Sequence, residues 1–300
     1  MSTAYVFPGQ GSQFVGMGAE SARVRPILRG TFERADAALG FALSRLCWEG
    51  PEAELNDTLN TQPALFAHSL GAFYMAQMSG ELPAPDFVAG HSLGEFSALC
   101  AAGALAFEDG VKLVRERGRL MKLAGERAPG GMAAVLGLQP DALREVCAEV
   151  SAQHNPGVVV ANDNCPGQIV ISGGKEAVAA ASAIAKTKGA KRVLPLAVSI
   201  ASHSPLMHSI ADEFAAAVKN TPLVTATIPV IGNTTARPIT HPDDIRAELN
   251  AQLTSPVRWT ETVQWLGAQG VTQFVELGPK DVLCNLIKRT LTDPQTLAIS

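Results

Sequence analysis

Twice in the N-terminal third of the chain a short apolar run ends abruptly in glycine. Thr3 to Phe7 stops at Pro8-Gly9-Gln10-Gly11, and the run Asp86 to Ala89 meets Gly90-His91-Ser92-Leu93-Gly94, after which Glu95 to Leu105 is rich in Ala and Leu. A short apolar run bounded in this way reads as a buried strand, and the Ala- and Leu-rich stretch after it as a helix. Strand-like and helical patterns alternate in the C-terminal third as well: a helix over Pro205 to Lys219, a strand at Ile228 to Ile231, helices over about 242–253 and 258–268, a strand at Thr272 to Glu276 and a last helix over Lys280 to Leu291. This alternation predicts an α/β fold with a largely parallel sheet covered on both faces.

The rhythm changes in the middle of the chain. After a helix from about Glu108 to Gly125, closed by Pro129-Gly130-Gly131, strands are expected at Met132 to Leu138, Val158 to Ala161, Ile169 to Ser172 and Arg192 to Val198. Helices fall between them at Pro140 to Gln153 and Lys175 to Lys188. The order β-α-β-β-α-β is that of a ferredoxin-like unit, which places an inserted subdomain at 130–198.

The chain has 300 residues, 47% hydrophobic and 17% charged. That charged share is below the ~25% of an average soluble domain, so the chain must bury much of its surface. With 24 basic and 28 acidic side chains and a net charge of -4, it has no basic footprint for nucleic acid or an anionic membrane. Cys47, Cys100, Cys147, Cys165 and Cys284 are odd in number and widely spaced, a pattern that supports neither a disulfide framework nor a zinc site. The first ten residues lack the basic and apolar regions of a secretory signal. Thr58 to Gly80 is uncharged, but Asn60, Gln62, Pro63, His68 and Gln77 make it a buried helix rather than a membrane span.

Gly90-His91-Ser92-Leu93-Gly94 matches the nucleophile elbow G-x-S-x-G, in which glycines permit a tight turn that lifts a serine above the sheet. His68-Ser69-Leu70-Gly71 repeats its last four residues, but Ala67 precedes it and no strand leads into it. Ser69 is therefore structural and Ser92 the candidate nucleophile, opening a helix whose amides and dipole suit a developing oxyanion. A serine nucleophile needs a base. His91 adjoins Ser92, but neighbours at such a turn point apart, so it supports the elbow. His154 and His241 lie in polar loops, and His68 and His208 fall within helices. His203 follows a strand and precedes Ser204-Pro205, which read as N-cap and first residue of the next helix. That setting disfavours the imidazolium and makes His203 the candidate base.

At about 100° per residue, Leu113, Val114, Gly118, Leu120, Met121 and Ala124 share one arc of their helix, and Arg117 is the only charge within it. A guanidinium facing inward needs a partner. Either an unseen Asp or Glu supplies it, or a carboxylate arrives with the substrate. Gly9-Gln10-Gly11 lacks the third glycine and the lysine of a phosphate-binding loop, but it can bring a backbone N–H close to a reacting carbonyl. Gln10, Ser92 and His203 then all lie at strand carboxyl ends, where open α/β sheets place their sites.

Phe7-Pro8-Gly9-Gln10-Gly11-Ser12-Gln13, Gln62-Pro63-Ala64-Leu65, Gly90-His91-Ser92-Leu93-Gly94-Glu95, Arg117-Gly118, Ser202-His203-Ser204, Gln252-Leu253 with Ser255-Pro256-Val257, and Glu276-Leu277-Gly278-Pro279 together resemble the malonyl-CoA:acyl-carrier-protein transacylases. The likeness spans nearly the whole chain. It implies an α/β-hydrolase-like core, residues 1–129 and 199–300, interrupted by the ferredoxin-like insertion. It further implies that Ser92 is acylated, His203 is general base and acid, Arg117 holds the malonyl carboxylate, and the amides of Gln10 and Leu93 form the oxyanion hole. Gln252 matches the residue that positions the histidine, while His91, Asn162 and Ser202 match positions around the thioester. The implied substrate is malonyl-CoA and the implied acceptor is the phosphopantetheine of a holo acyl carrier protein, with no metal or bound cofactor, in a cytoplasmic monomer. Cys165 stands where the family often has Ser. Segments around Pro85, Thr235 and Ser255 look like freestanding acyltransferases of polyketide assembly lines, so fatty acid and polyketide synthesis are both open. The alternatives are methylmalonyl transfer, a hydrolase that clears acyl groups from carriers, and a carrier-docking subunit without chemistry.

Overall fold

A computed structural model describes residues 2–300 and contains ten strands: β1 (Ser2–Phe7), β2 (Phe87–Gly90), β3 (Gly130–Leu136), β4 (Val158–Cys165), β5 (Gln168–Gly174), β6 (Arg192–Pro195), β7 (Val230–Ile231), β8 (Pro238–Ile239), β9 (Val271–Leu277) and β10 (Gln295–Ile299). They form two sheets. The larger has the order β10-β9-β1-β2-β7-β8, parallel throughout except for β8 at one edge. Its strands β1, β2 and β7 are buried almost without alternation because helices cover both faces. One cover is built on the helix Thr58–Ser79, in which His68 and Ser69 are fully buried, and the other includes the helices Trp259–Ala268 and Val282–Thr290. No helix among the described residues is long and apolar enough to cross a membrane.

Register places the site. Val6 pairs with Ala89 and Phe7 with Gly90, so the glycine turns that end β1 and β2 leave the sheet side by side at its carboxyl edge.

The smaller sheet, β4-β5-β3-β6, is antiparallel. Helices Pro140–Ser151 and Lys175–Thr187 pack on it through Leu143, Val146 and Ala181 against Ala133, Val135 and Ile171. The alternate residues Met132, Ala134 and Val170 point the other way and line a cleft against the larger unit. Backbone hydrogen bonds tie the two units both at the neck and at the far side. Gly130 N donates to Ser199 O at 3.0 Å where the chain enters and leaves the smaller sheet and its helices. At the far side Asp163 N donates to Val257 O at 2.9 Å and Val257 N to Ala161 O at 2.8 Å, with Thr260 Oγ1 bonded to Asp163 Oδ1 at 2.6 Å. Cys165 enters the core of the larger unit beside Trp259 and Val257, which gives this residue a packing role.

Several expectations need correction. Pro205 to Lys219 is not one α-helix: Pro205–Ile210 is a 3-10 turn and the α-helix is Ala211–Asn220. Gly130 and Gly131 open β3 instead of closing the preceding helix, and β6 ends at Pro195. β4 continues through Asn162, Asp163 and Asn164, polar residues buried against the 257–260 segment. The edge strands β8 and β10 were not expected, since Pro238 and the half-exposed Gln295–Ile299 leave no clear apolar pattern.

Candidate active site

Ser92 has φ 52°, a strained value for a residue with a side chain and the mark of a sharp strand-to-helix elbow. The turn closes only because its flanks are glycine. A methyl group on Gly90 would lie 1.9 Å from the Gly94 carbonyl carbon, and one on Gly94 would lie 1.9 Å from the Phe7 carbonyl oxygen. Asn233, in the loop after β7, straps the elbow: its Oδ1 accepts from Ser92 N and its Nδ2 donates to Gly90 O, both at 2.7 Å. Ser92 N is therefore occupied. The next amide, Leu93 N–H, and that of Gln10 donate to no protein acceptor among the described residues, and the Gln10 loop is held by a 2.9 Å bond from Thr58 Oγ1 to Gln10 Oε1.

His203 Nδ1 lies 2.8 Å from the Gln252 carbonyl oxygen. A carbonyl only accepts, so Nδ1 carries the proton and Nε2, 2.8 Å from Ser92 Oγ, is free to take one. Burial, and then the Arg117 charge, push the imidazole down to about 3, which keeps this base neutral at pH 7. Ser204 caps the following turn through Leu206 N, as its sequence position indicates. Gln252 thus holds the histidine with its backbone; its side chain turns elsewhere, to Arg117.

Arg117 is fully buried, and its partners are neutral. Nη1 donates to Gln62 Oε1 at 2.8 Å, while Nη2 donates to Gln252 Oε1 at 2.9 Å and Ser92 Oγ at 3.1 Å. Nε has no partner. Burial lowers the guanidinium to about 10, still cationic at pH 7. The reading in which an internal Asp or Glu neutralises it directly is set aside, because the nearby carboxyl, Glu95, reaches it only through Gln252.

Ser92 and His203 line a cleft of about 810 Å³ together with Gln10, Asn162, Ser202 and Val198, and Arg117 lies buried behind Ser92 Oγ. His91 turns away from Ser92: its Nε2 bonds Asn164 Oδ1 at 2.8 Å and its ring meets Trp259 edge-on. Three residues here had no assigned role from sequence. Gln62 and Glu95 were visible only within longer motifs. For Asn233 the sole signal was a polar loop, Gly232-Asn233-Thr234, at the carboxyl end of a parallel strand.

Fold and site together define a serine-nucleophile enzyme of acyl transfer. The chain belongs to the acyl transferase domain family, whose model matches residues 4–299. It is 46% identical over 297 residues to a malonyl CoA-acyl carrier protein transacylase of Bacillus subtilis, covering 99% of this chain and 93% of that one. Among solved structures it is similar to the corresponding transacylase of Coxiella burnetii, with a TM-score of 0.96 and 40% identity over 100% of this chain and 94% of that one. A malonyl-transacylase solved in complex with a type II polyketide synthase acyl-carrier protein matches with a TM-score of 0.96 and 43% identity, covering 99% and 96%.

Proposed function

We propose that this protein moves a malonyl group from malonyl-CoA to the phosphopantetheine thiol of a holo acyl carrier protein, through a malonyl ester on Ser92, in fatty acid or polyketide synthesis. The observation that carries the reading is Arg117, a buried cation bonded to the nucleophile with no carboxylate of its own. A malonyl carboxylate supplies the missing anion, and a guanidinium fork takes it in two bonds.

In the first half-reaction Ser92 Oγ attacks the thioester carbon as its proton passes to His203 Nε2. The amides of Gln10 and Leu93 hold the oxyanion. The tetrahedral adduct expels the CoA thiolate, which takes the proton from His203, and leaves malonyl-Ser92. In the second half the carrier thiol gives its proton to His203 and attacks the ester. Collapse returns the proton to Ser92 Oγ and releases the malonyl-carrier. No step calls on a metal or a bound cofactor. His91 and Asn164 brace the cleft wall, with Asn162 and Ser202 around the thioester. In this reading the protein works as a cytoplasmic monomer built of two units, 1–129 with 199–300 and the insertion 130–198.

Incubation with labelled malonyl-CoA, with and without holo carrier, tests transfer against hydrolysis. Expected are a lasting label on Ser92 without carrier and label on the carrier once it is added. Rapid release of free malonate that carrier does not suppress would overturn the proposal.

A further inference from the structure

Glu95, the residue after Gly94 in the elbow motif, is fully buried under the nucleophile. A carboxyl there needs a reason, since desolvation is costly. Burial, and then Glu248, push it well above the usual carboxylate range, while the Asn233 and Gln252 donors and the Arg117 charge act against that push. Oε1 accepts from Asn233 N at 3.0 Å, and Oε2 accepts from Gln252 Nε2.

Those two partners reach every reacting group. Asn233 holds Gly90 O and Ser92 N. Gln252 holds His203 through its backbone carbonyl and Arg117 through its side-chain oxygen. An amide side chain has two faces of opposite polarity. With its NH₂ turned to Glu95 and to Ser92 O, Gln252 must present oxygen to the guanidinium. If the amide were reversed, NH₂ would face Arg117.

We propose that Glu95 is a positioning residue whose paired acceptor oxygens fix the Asn233 strap and the Gln252 amide, and through them the nucleophile, the base and the cation. Its malonyl-specific part rests on the transferase reading above; its effect on Ser92 does not.

Glu95→Gln tests it. The new NH₂ must face either Asn233 N–H or the Gln252 NH₂, donor against donor, so one of the two junctions opens. Acylation of Ser92 by a neutral ester, p-nitrophenyl acetate, is followed beside the malonyl-CoA and acetyl-CoA kinetics and the Tm. The expected result is ester acylation slowed about tenfold to a hundredfold, as for reacting groups displaced by an ångström, with a KM for malonyl-CoA that rises more than that for acetyl-CoA. Unchanged ester acylation and malonyl KM overturn the proposal. So does a uniform fall in active fraction with both KM values unchanged, which is what a purely structural role produces. If the wild type accepts no malonyl group, the transferase reading fails while the ester arm still reads Glu95. Should Glu95→Gln not fold, Asn233→Asp, which sets a second oxygen against Gly90 O, is expected to slow the ester reaction; a wild-type rate there overturns the strap.

Discussion

In the proposed reaction Arg117 is the residue on which selectivity turns. Removing one partner of a buried charged contact costs about 2–5 kcal/mol, so Arg117→Ala is expected to lose malonyl transfer by about a hundred- to a thousandfold and to gain acetyl transfer; an unchanged malonyl preference in competition assays refutes the clamp. The same charge acts on His203. Because the free imidazole is pushed down to about 3, kcat/KM for a neutral ester is expected to stay flat as pH falls through ~6.5, the ordinary histidine value. When a malonyl carboxylate covers Arg117, the repulsion of the imidazolium weakens and its pKa rises, so the acid limb of kcat for malonyl acylation, which reports the bound complex, lies at higher pH than that of kcat for the neutral ester. Coincident kcat limbs for both substrates contradict this. The inward placement of Arg117 was legible from helical periodicity alone. Its partners were not, because Gln62 and Gln252 lie 55 and 135 residues away, and such contacts leave no local pattern. The contact of Gln252 with His203 is made by its backbone carbonyl, whose direction a side-chain identity does not reveal.

At the scale of elements, what the sequence announced most clearly was the strand-turn-helix at Ser92, because sterics dictate its composition. Gly94→Ala places a methyl group against the Phe7 carbonyl at 1.9 Å and is expected to destabilise the protein by about 3 kcal/mol or more; a wild-type Tm rules out the close approach. Buried strands such as β1 and β2 were readable because two covered faces demand short apolar runs, Ala4–Phe7 and Phe87–Ala89. The edges were not: β8 is two residues long, and β10 is half exposed. The 3-10 turn at Pro205–Ile210 shares with an α-helix the N-cap and the proline that gave it away, so composition there separates helix from coil without fixing the helix type. The apparent repeat at His68-Ser69 was correctly separated from the elbow by the absence of a preceding strand.

For the whole molecule, the buried histidines tie stability to pH. His68 has neither ring nitrogen bonded, and burial pushes it down to about 4. The unfolded chain takes up a proton below ~6.5 while the native one does not, so stability is full above that value and is lost as pH falls toward about 4. His203 adds in the same direction. His68→Leu is therefore expected to shrink the fall in Tm between pH 7 and pH 5 without altering turnover; an equal fall removes His68 from the account. The change of rhythm after residue 129 coincides with the start of the antiparallel sheet at β3, whereas the tie between Ala161–Asp163 and Val257 was hidden in a segment with no periodicity. That second attachment has a mechanical result. An insertion anchored only at its neck swings like a door, but one pinned at both ends is a wall. In the proposed reaction, then, the width of the cleft between the units is held from two sides by backbone hydrogen bonds.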